Sequence, residues 1–403
     1  MMEFDFTTVM KRKGMDALAV DALGLPGLPG APKEGFDAIP MWVADMNFPT
    51  VPSVQEAIIA RTQHPAFGYF EPRQEYFDAI LRWQAQQNQV NGLLPEHIGY
   101  ANGVVGGVVS ALRSLSSPGE PILVHSPTYI GFTHALDDNG YRTILSELKK
   151  DENGIYRMDF ADMERKIVEY GIHTTIFCSP HNPTGRVWER WELEQAMELF
   201  RKYDVTVISD EIWSDLLLFG STHIPTQSIS EDAKMRTIAL YSPSKTFNLA
   251  GLVGSYSITY NDRLRHPLHR EGSRTYYNHM NVLSMHALIG AYSEEGKRWL
   301  TELQQVLSEN AAFACDYIQA HFEGIAVTRP QGTYMLFPDL TEWCARHGKT
   351  LEEVEKACWD VGVALQDGRM FHGNCHLRIN LASPLSRVQE AFDRLDQYVF
   401  NAL

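Results

Sequence analysis

Between about residue 98 and residue 259 the apolar positions follow two alternating patterns. One is a short continuous run of apolar and β-branched residues bounded by turn formers. The other is a longer stretch with an apolar residue every three or four positions. Short continuous runs are what strands buried on both faces require, and the 3.6-residue repeat marks amphipathic helices. Strands are expected at 98–101, 121–125, 143–148, 174–178, 205–209, 237–240 and 254–259. Helices are expected from Asn102-Gly103 to Leu115, at 159–170 and at 191–203. Upstream, Ser53-Val54-Gln55-Glu56 reads as a capping box that starts a helix over 54–63. The aromatic loop Phe67-Gly68-Tyr69-Phe70 then leads to a second helix over 72–87.

Strands alternating with helices predict an α/β fold, a mostly parallel sheet covered on both faces. Ligands in such sheets sit beyond the carboxyl ends of the strands. Gly103, Tyr129, Asn182, Asp210 and Lys245 all fall just past expected strand ends. Beyond about residue 280 the pattern changes to long helices, 281–292 and 297–322, with sparse strands. Thr350-Leu351-Glu352-Glu353 and Ser386-Arg387-Val388-Gln389 read as further capping-box starts. The expected organisation is an amino-terminal arm with part of the small domain over 1–45, a large domain over 46–285 and a smaller α+β domain over 286–403.

With 403 residues the chain exceeds the size at which one core stops growing, which also points to two domains. The formal net charge of −15 argues against nucleic acid or an anionic membrane as partner. The first residues, Met1-Met2-Glu3-Phe4-Asp5-Phe6, contain no apolar core of a signal peptide, and no apolar run is long enough to span a bilayer. The five cysteines are odd in number and widely spaced, with no zinc-ligand or redox-pair spacing, and this fits a reducing cytoplasm. The 15 histidines show no metal-ligand spacing either, so no metal is expected.

Several segments carry candidate chemistry. In Tyr241-Ser242-Pro243-Ser244-Lys245-Thr246-Phe247-Asn248 a lysine stands among hydroxyls and apolar groups. Desolvation there lowers an amine's pKa and makes it nucleophilic towards carbonyls, although a solvated lysine in a Ser-Pro-Ser turn is the simpler reading of the segment alone. Asp210 ends an apolar strand, where a carboxylate can stay ionised beside a cation or cap a helix. The Walker B reading of that strand fails, because the chain has no Gly-x-x-x-x-Gly-Lys-Ser/Thr. Ser242-Pro243-Ser244-Lys245 matches Ser-x-x-Lys, but the partner elements of penicillin-binding enzymes are missing. Asn102-Gly103-Val104-Val105-Gly106 opens a helix and can hold a phosphate on backbone amides, or serve packing only. His181-Asn182-Pro183-Thr184-Gly185 is a turn by composition. Arg378, in an apolar strand-like run, suits a carboxylate or a core-edge ion pair.

Together, Ser179-Pro180-His181-Asn182-Pro183-Thr184-Gly185, Ser209-Asp210-Glu211-Ile212 and Ser242-Pro243-Ser244-Lys245-Thr246-Phe247-Asn248 resemble the fold-type I pyridoxal-phosphate (PLP) enzymes of the class I/II aminotransferase group. Met41-Trp42-Val43-Ala44-Asp45-Met46-Asn47-Phe48, Phe67-Gly68-Tyr69, Gln366-Asp367-Gly368-Arg369 and Leu377-Arg378-Ile379-Asn380-Leu381-Ala382 are similar to the MalY/PatB branch of cystathionine β-lyases and cysteine-conjugate C–S lyases. The resemblance covers essentially the whole chain. It implies pyridoxal 5'-phosphate as cofactor, bound covalently by Lys245, which later carries the substrate Cα proton. It implies Asp210 on the pyridine nitrogen, Asn182 on the phenolic oxygen and Tyr129 over the ring. It implies the amides of Gly103 and Val104 and the hydroxyls of Ser242 and Ser244 on the phosphate, with Tyr69 reaching the neighbouring subunit's phosphate in a homodimer. Arg378 would hold the substrate carboxylate, with Tyr69 and Asn182 beside it.

The chain departs from its relatives in places. Trp213 stands where many have a tyrosine, Gly106 where a proline is common, and Ile130 where a second aromatic is frequent. Val253 lies where aspartate aminotransferases place a phosphate-binding arginine. The resemblance implies β-elimination from S-substituted L-cysteines to a thiol, pyruvate and ammonia. An aminotransferase with the same residues is the alternative. A PLP-binding regulatory module is a third reading, opposed by the intact set of Lys245, Asp210 and Arg378 and by the acidic charge.

Overall fold

A computed structural model describes residues 2–275 and 277–402. The chain divides into two compact units. The larger comprises Thr50–His181 and Arg186–Thr301; the smaller comprises the residues up to Pro49, Asn182–Gly185 and the residues from Glu302 onward. The expected boundaries lay at 45 and 285. Residues 286–301 stay with the larger unit because helix Val282–Ala291 packs along helix Pro52–Thr62, where Ser53 Oγ donates to the Gly290 carbonyl at 2.8 Å.

The larger unit is built on a seven-stranded sheet. In chain order its strands are β1 (Ile98–Asn102), β2 (Pro121–Ser126), β3 (Arg142–Glu147), β4 (Thr174–Cys178), β5 (Thr206–Asp210), β6 (Thr237–Tyr241) and β7 (Gly254–Ile258). Their spatial order is β1-β7-β6-β5-β4-β2-β3. Only β7 is antiparallel to its neighbours; the other strands run one way, so their carboxyl ends share one edge.

The continuous apolar runs are explained by burial on both faces. On one face Leu123, Phe177 and Val207 pack with Met163 and Ile167 of helix Phe160–Tyr170 and with Leu193 and Met197 of helix Arg190–Lys202. On the other, Ile122, Val124, Ile176, Ile208 and Ile238 pack with Val108 and Leu112 of α1 (Val104–Leu115) and Phe132 of α2 (Ile130–Asp138). Adjacent residues of one strand thus feed opposite cores. Gly107 lets α1 lie close on the sheet, since a Cβ there would meet Leu240 at 2.9 Å.

Two of the three capping boxes read from sequence are not formed. The first helix starts at Pro52 with Val51 as N-cap, because proline's fixed φ suits the first helical position. Ser386 lies inside helix Leu385–Leu395, whose N-cap is Pro384. The Thr350–Glu353 box forms in both directions and caps helix Leu351–Asp360. The smaller unit adds a three-stranded sheet of Met335–Leu336, Leu377–Asn380 and Gln366–Asp367, with Leu377–Asn380 in the centre.

Candidate active site

The shared carboxyl edge of the sheet brings most of the expected residues to one side of the larger unit. Asp210 is the last residue of β5 and is 4% exposed. Its Oδ1 accepts the Ile212 amide at 3.0 Å, and its other carboxylate oxygen has no hydrogen-bond partner among the described residues. Burial pushes its carboxyl up to about 7; the Glu211 charge adds to this, while the Ile212 amide and the Lys245 ammonium pull it back. The adjacent Glu211 differs. Its burial is outweighed by His223, Tyr241 and the Thr226 amide, which hold its carboxyl below the usual range. One acid is fully satisfied within the protein. Its neighbour is buried with acceptor capacity to spare.

Lys245 sits on α3 (Pro243–Thr246), a single turn that follows β6. Ser242 caps that turn: its Oγ accepts the Ser244 amide at 3.0 Å and donates to the Gly254 carbonyl at 2.6 Å. The hydroxyl's only proton is directed at the Gly254 carbonyl in this structure. Ser244 Oγ has no partner among the described residues. The Gly103 amide is engaged in a similar way. The residue adopts φ 72°, ψ 153° at the N-cap of α1, and its amide donates to the Val253 carbonyl at 2.6 Å. That amide is not available to an anion. The amides that follow in the first turn, Val104 onward, have no intrahelical acceptor and point out of a twelve-residue helix with its positive end towards the site.

The departures from the family pattern find local reasons. At Gly106 a Cβ would lie 2.9 Å from the Tyr277 ring, so glycine there admits the segment that packs on the start of α1. In the same segment Asn278 accepts the Asn102 amide at 3.1 Å. Ile130 is the first residue of α2, with Tyr129 as N-cap. The Tyr129 ring meets Phe132 edge-on at 5.4 Å, and Gly131 leaves room for it. Trp213 is 2% exposed and belongs to the interior. Tyr69 is fully exposed, with no hydrogen-bond or ring partner among the described residues.

Asn182 and Arg378 belong to the smaller unit. Arg378 is 3% exposed. Its guanidinium lies 4.2 Å over the Phe371 ring and donates to the Trp42 carbonyl at 2.9 Å, to Gln366 Oε1 and, at 3.4 Å, to Asn182 Oδ1. Each of these three acceptors is uncharged, and a planar guanidinium has the forked donor geometry that suits a carboxylate.

Sequence reasoning missed Asp215, a buried acid five positions beyond Asp210 whose burial pushes its carboxyl up to about 6. An acid inside the apolar run Trp213–Leu218 was the available signal. It also missed the buried pair His125 and His181, both in contact with the Trp188 ring.

The donor set can be tested against PLP. That group presents a ring nitrogen that is basic, a phosphate dianion and an aldehyde. The spare carboxylate oxygen of Asp210, the free helix amino end with Ser244, and the Lys245 amine match these three in charge and hydrogen-bonding sense. Among the described residues no group of three or more His, Cys, Asp or Glu is placed to hold a metal ion, and no helix is long and apolar enough to cross a membrane.

Comparison with known proteins agrees with this chemistry. The family model for aminotransferase class I and II matches residues 38–395. The chain is 34% identical to cystathionine beta-lyase PatB of Bacillus subtilis (strain 168), over 89% of this chain and 92% of that protein. It is 30% identical to protein MalY of Escherichia coli (strain K12), over 96% of each. The solved structure of the PLP-bound C-S lyase from Staphylococcus hominis superposes with a TM-score of 0.89 at 28% identity, covering 99% of this chain and 100% of that one. The chain belongs to the class I and II aminotransferase family.

Proposed function

We propose that the protein is a PLP-dependent β-lyase that cleaves the Cβ–S bond of S-substituted L-cysteines, giving a thiol, pyruvate and ammonia. The observation that carries the PLP reading is Asp210: a buried carboxylate with a free oxygen, on the strand edge that also bears Lys245. The relatives named as β-lyase and C–S lyase support the choice of reaction.

Lys245 would bind the cofactor covalently. The Asp210 carboxylate would keep the ring nitrogen protonated, the first-turn amides of α1 and the Ser244 hydroxyl would hold the phosphate, Tyr129 would cover one ring face and Asn182 would hydrogen-bond the phenolic oxygen. When bound, PLP would supply an electron sink for the electron pair left at Cα when its proton is removed. The remaining tasks fall to the chain. Arg378 would bind the substrate carboxylate in a forked contact. The Lys245 amine would accept the Cα proton. Burial at Asp210 excludes water from the charge that balances the ring.

The exposed ring of Tyr69 supports a homodimer in which this residue reaches the partner's phosphate. Five unpaired cysteine thiols support a reducing, cytoplasmic setting. A decisive test is Lys245→Ala with L-cystathionine. Loss of pyruvate formation by several orders of magnitude is expected, and turnover close to wild type overturns the assignment.

A further inference from the structure

The turn that carries Lys245 is gripped by an acid to which the reading above gives no task. Asp215 is 6% exposed. Its Oδ2 accepts the hydroxyl of Thr246, the residue next to Lys245, at 2.9 Å. Its Oδ1 accepts the indole N–H of Trp83 at 3.1 Å. Trp83 is itself immobilised: it stacks on Tyr292 with ring centres 4.5 Å and planes 2° apart. The next residue, Phe247, meets the Trp83 edge at 5.7 Å and stacks on Trp299 at 5.5 Å. The two residues after Lys245 are thus fastened to one scaffold, Thr246 through the carboxylate and Phe247 through the rings.

This arrangement is more than space filling. Burying a carboxylate is costly unless its lone pairs are met, and an apolar residue of similar size would pack among these rings at no such cost. A helix of a single turn, Pro243–Thr246, has almost no stability of its own, so its orientation is set by what holds its ends. Ser242 fixes the start through the Gly254 carbonyl, and Thr246 fixes the finish through Asp215. The segment 210–215 then serves the site twice, once through Asp210 at the strand end and once through Asp215 beneath the lysine turn.

We infer that Asp215 is a positioning residue for Lys245: by holding Thr246 Oγ1 against the Trp83 scaffold, it sets the direction from which the Lys245 amine reaches the cofactor and the Cα proton. The inference rests on the proposed role of Lys245. A misplacement of about 1 Å at a proton-transfer group costs on the order of 10²-fold in rate.

The test uses the loaded enzyme in four forms: wild type, Asp215→Asn, Thr246→Val and Thr246→Ser. Borohydride trapping and peptide mapping of wild type first locates the cofactor. Label elsewhere than on Lys245 overturns the parent reading and this inference with it. With label on Lys245, Thr246→Val is expected to lower kcat about 10- to 100-fold, with KM changed by less than about threefold and faster loss of cofactor absorbance on dilution. Thr246→Ser, which keeps the hydroxyl, is expected to restore kcat to within about threefold of wild type. Combining Asp215→Asn with Thr246→Val is expected to cost less than the sum of the single changes, because both act on the Thr246–Asp215 contact. Wild-type kcat and cofactor retention in Thr246→Val, or fully additive losses in the double variant, would overturn the positioning role while leaving Lys245 in place. Thr246→Val replaces side chains of equal size, so its folding is expected to survive even if Asp215 variants do not fold.

Discussion

The amide of Gly103 donates to the carbonyl of Val253 at 2.6 Å, and both residues sit at positive φ, 72° and 57°. This contact ties the start of α1 to the loop before β7. Gly103 at ψ 153° occupies a region that is essentially restricted to glycine, and Val253 is a β-branched residue in the left-handed region. A glycine-only conformation hydrogen-bonded to a strained valine is the kind of feature found where a loop must present its amides in a fixed direction.

Gly103→Ala is therefore expected to weaken cofactor binding more than it weakens the fold. The added Cβ finds space, since its nearest neighbour is Val253 Cγ1 at 3.9 Å, so the cost is backbone strain of about 1–3 kcal/mol concentrated at the amino end of α1. Fluorescence titration of PLP should show a Kd raised about tenfold or more, with the melting temperature of the cofactor-free protein lowered by only a few degrees. An unchanged Kd would separate α1 from phosphate binding.

Asp210 makes a prediction with a definite sign. Its carboxyl is pushed from 3.8 to about 7 by burial, so the folded, cofactor-free chain favours the protonated form. A raised acid contributes stability that is fully present below about pH 4 and is lost as pH rises through about 7. The contribution of Asp210 to the stability of the cofactor-free protein should therefore fall between about pH 4 and pH 7, and Asp210→Asn should remove that part of the pH dependence. In the loaded enzyme the same substitution should cost about 10²-fold or more in kcat, because the charge facing the ring nitrogen is removed. Thermal melts with and without cofactor at the two pH values check both halves.

The sheet was legible because burial on both faces writes itself as continuous apolar runs. Thr174–Cys178 was placed to the residue, and Asp210 and Lys245 were found at strand ends for the same reason. The hydrogen-bond partners were not legible. Ser242 and Gly103 look like free phosphate donors in sequence, but their protons go to Gly254 and Val253, residues that only the sheet brings near. Ser53 reads as a cap, yet its hydroxyl goes to Gly290, 237 positions away. Helix Asp262–Thr275 was missed because it is strongly polar and carries Pro267 inside. Local signals identify elements, and long-range satisfaction of donors decides which polar groups remain for chemistry.

His125 offers a prediction about acid stability. Its ring is 3% exposed, packs near Phe177 and Trp188, and buries Nε2 without a hydrogen-bond partner. Burial depresses its pKa from 6.5 to about 4, so the unfolded chain takes up a proton that the folded chain refuses. Stability is then lost as pH falls below about 6.5. His125→Leu should reduce the difference in unfolding free energy between about pH 7 and pH 5 by about 2 kcal/mol. Urea unfolding at both pH values measures it, and an unaltered difference would place the acid sensitivity elsewhere.

The central claim is the fate of the Cβ–S bond, and product analysis tests it most directly. Purified protein loaded with PLP is incubated with L-cystathionine, with and without 2-oxoglutarate, and pyruvate, ammonia, free thiol and glutamate are quantified. The account predicts pyruvate, ammonia and thiol in equal amounts, at a rate independent of 2-oxoglutarate. A sulfur-retaining keto acid with matching glutamate, formed only when 2-oxoglutarate is present, would contradict it and establish an aminotransferase on the same residues.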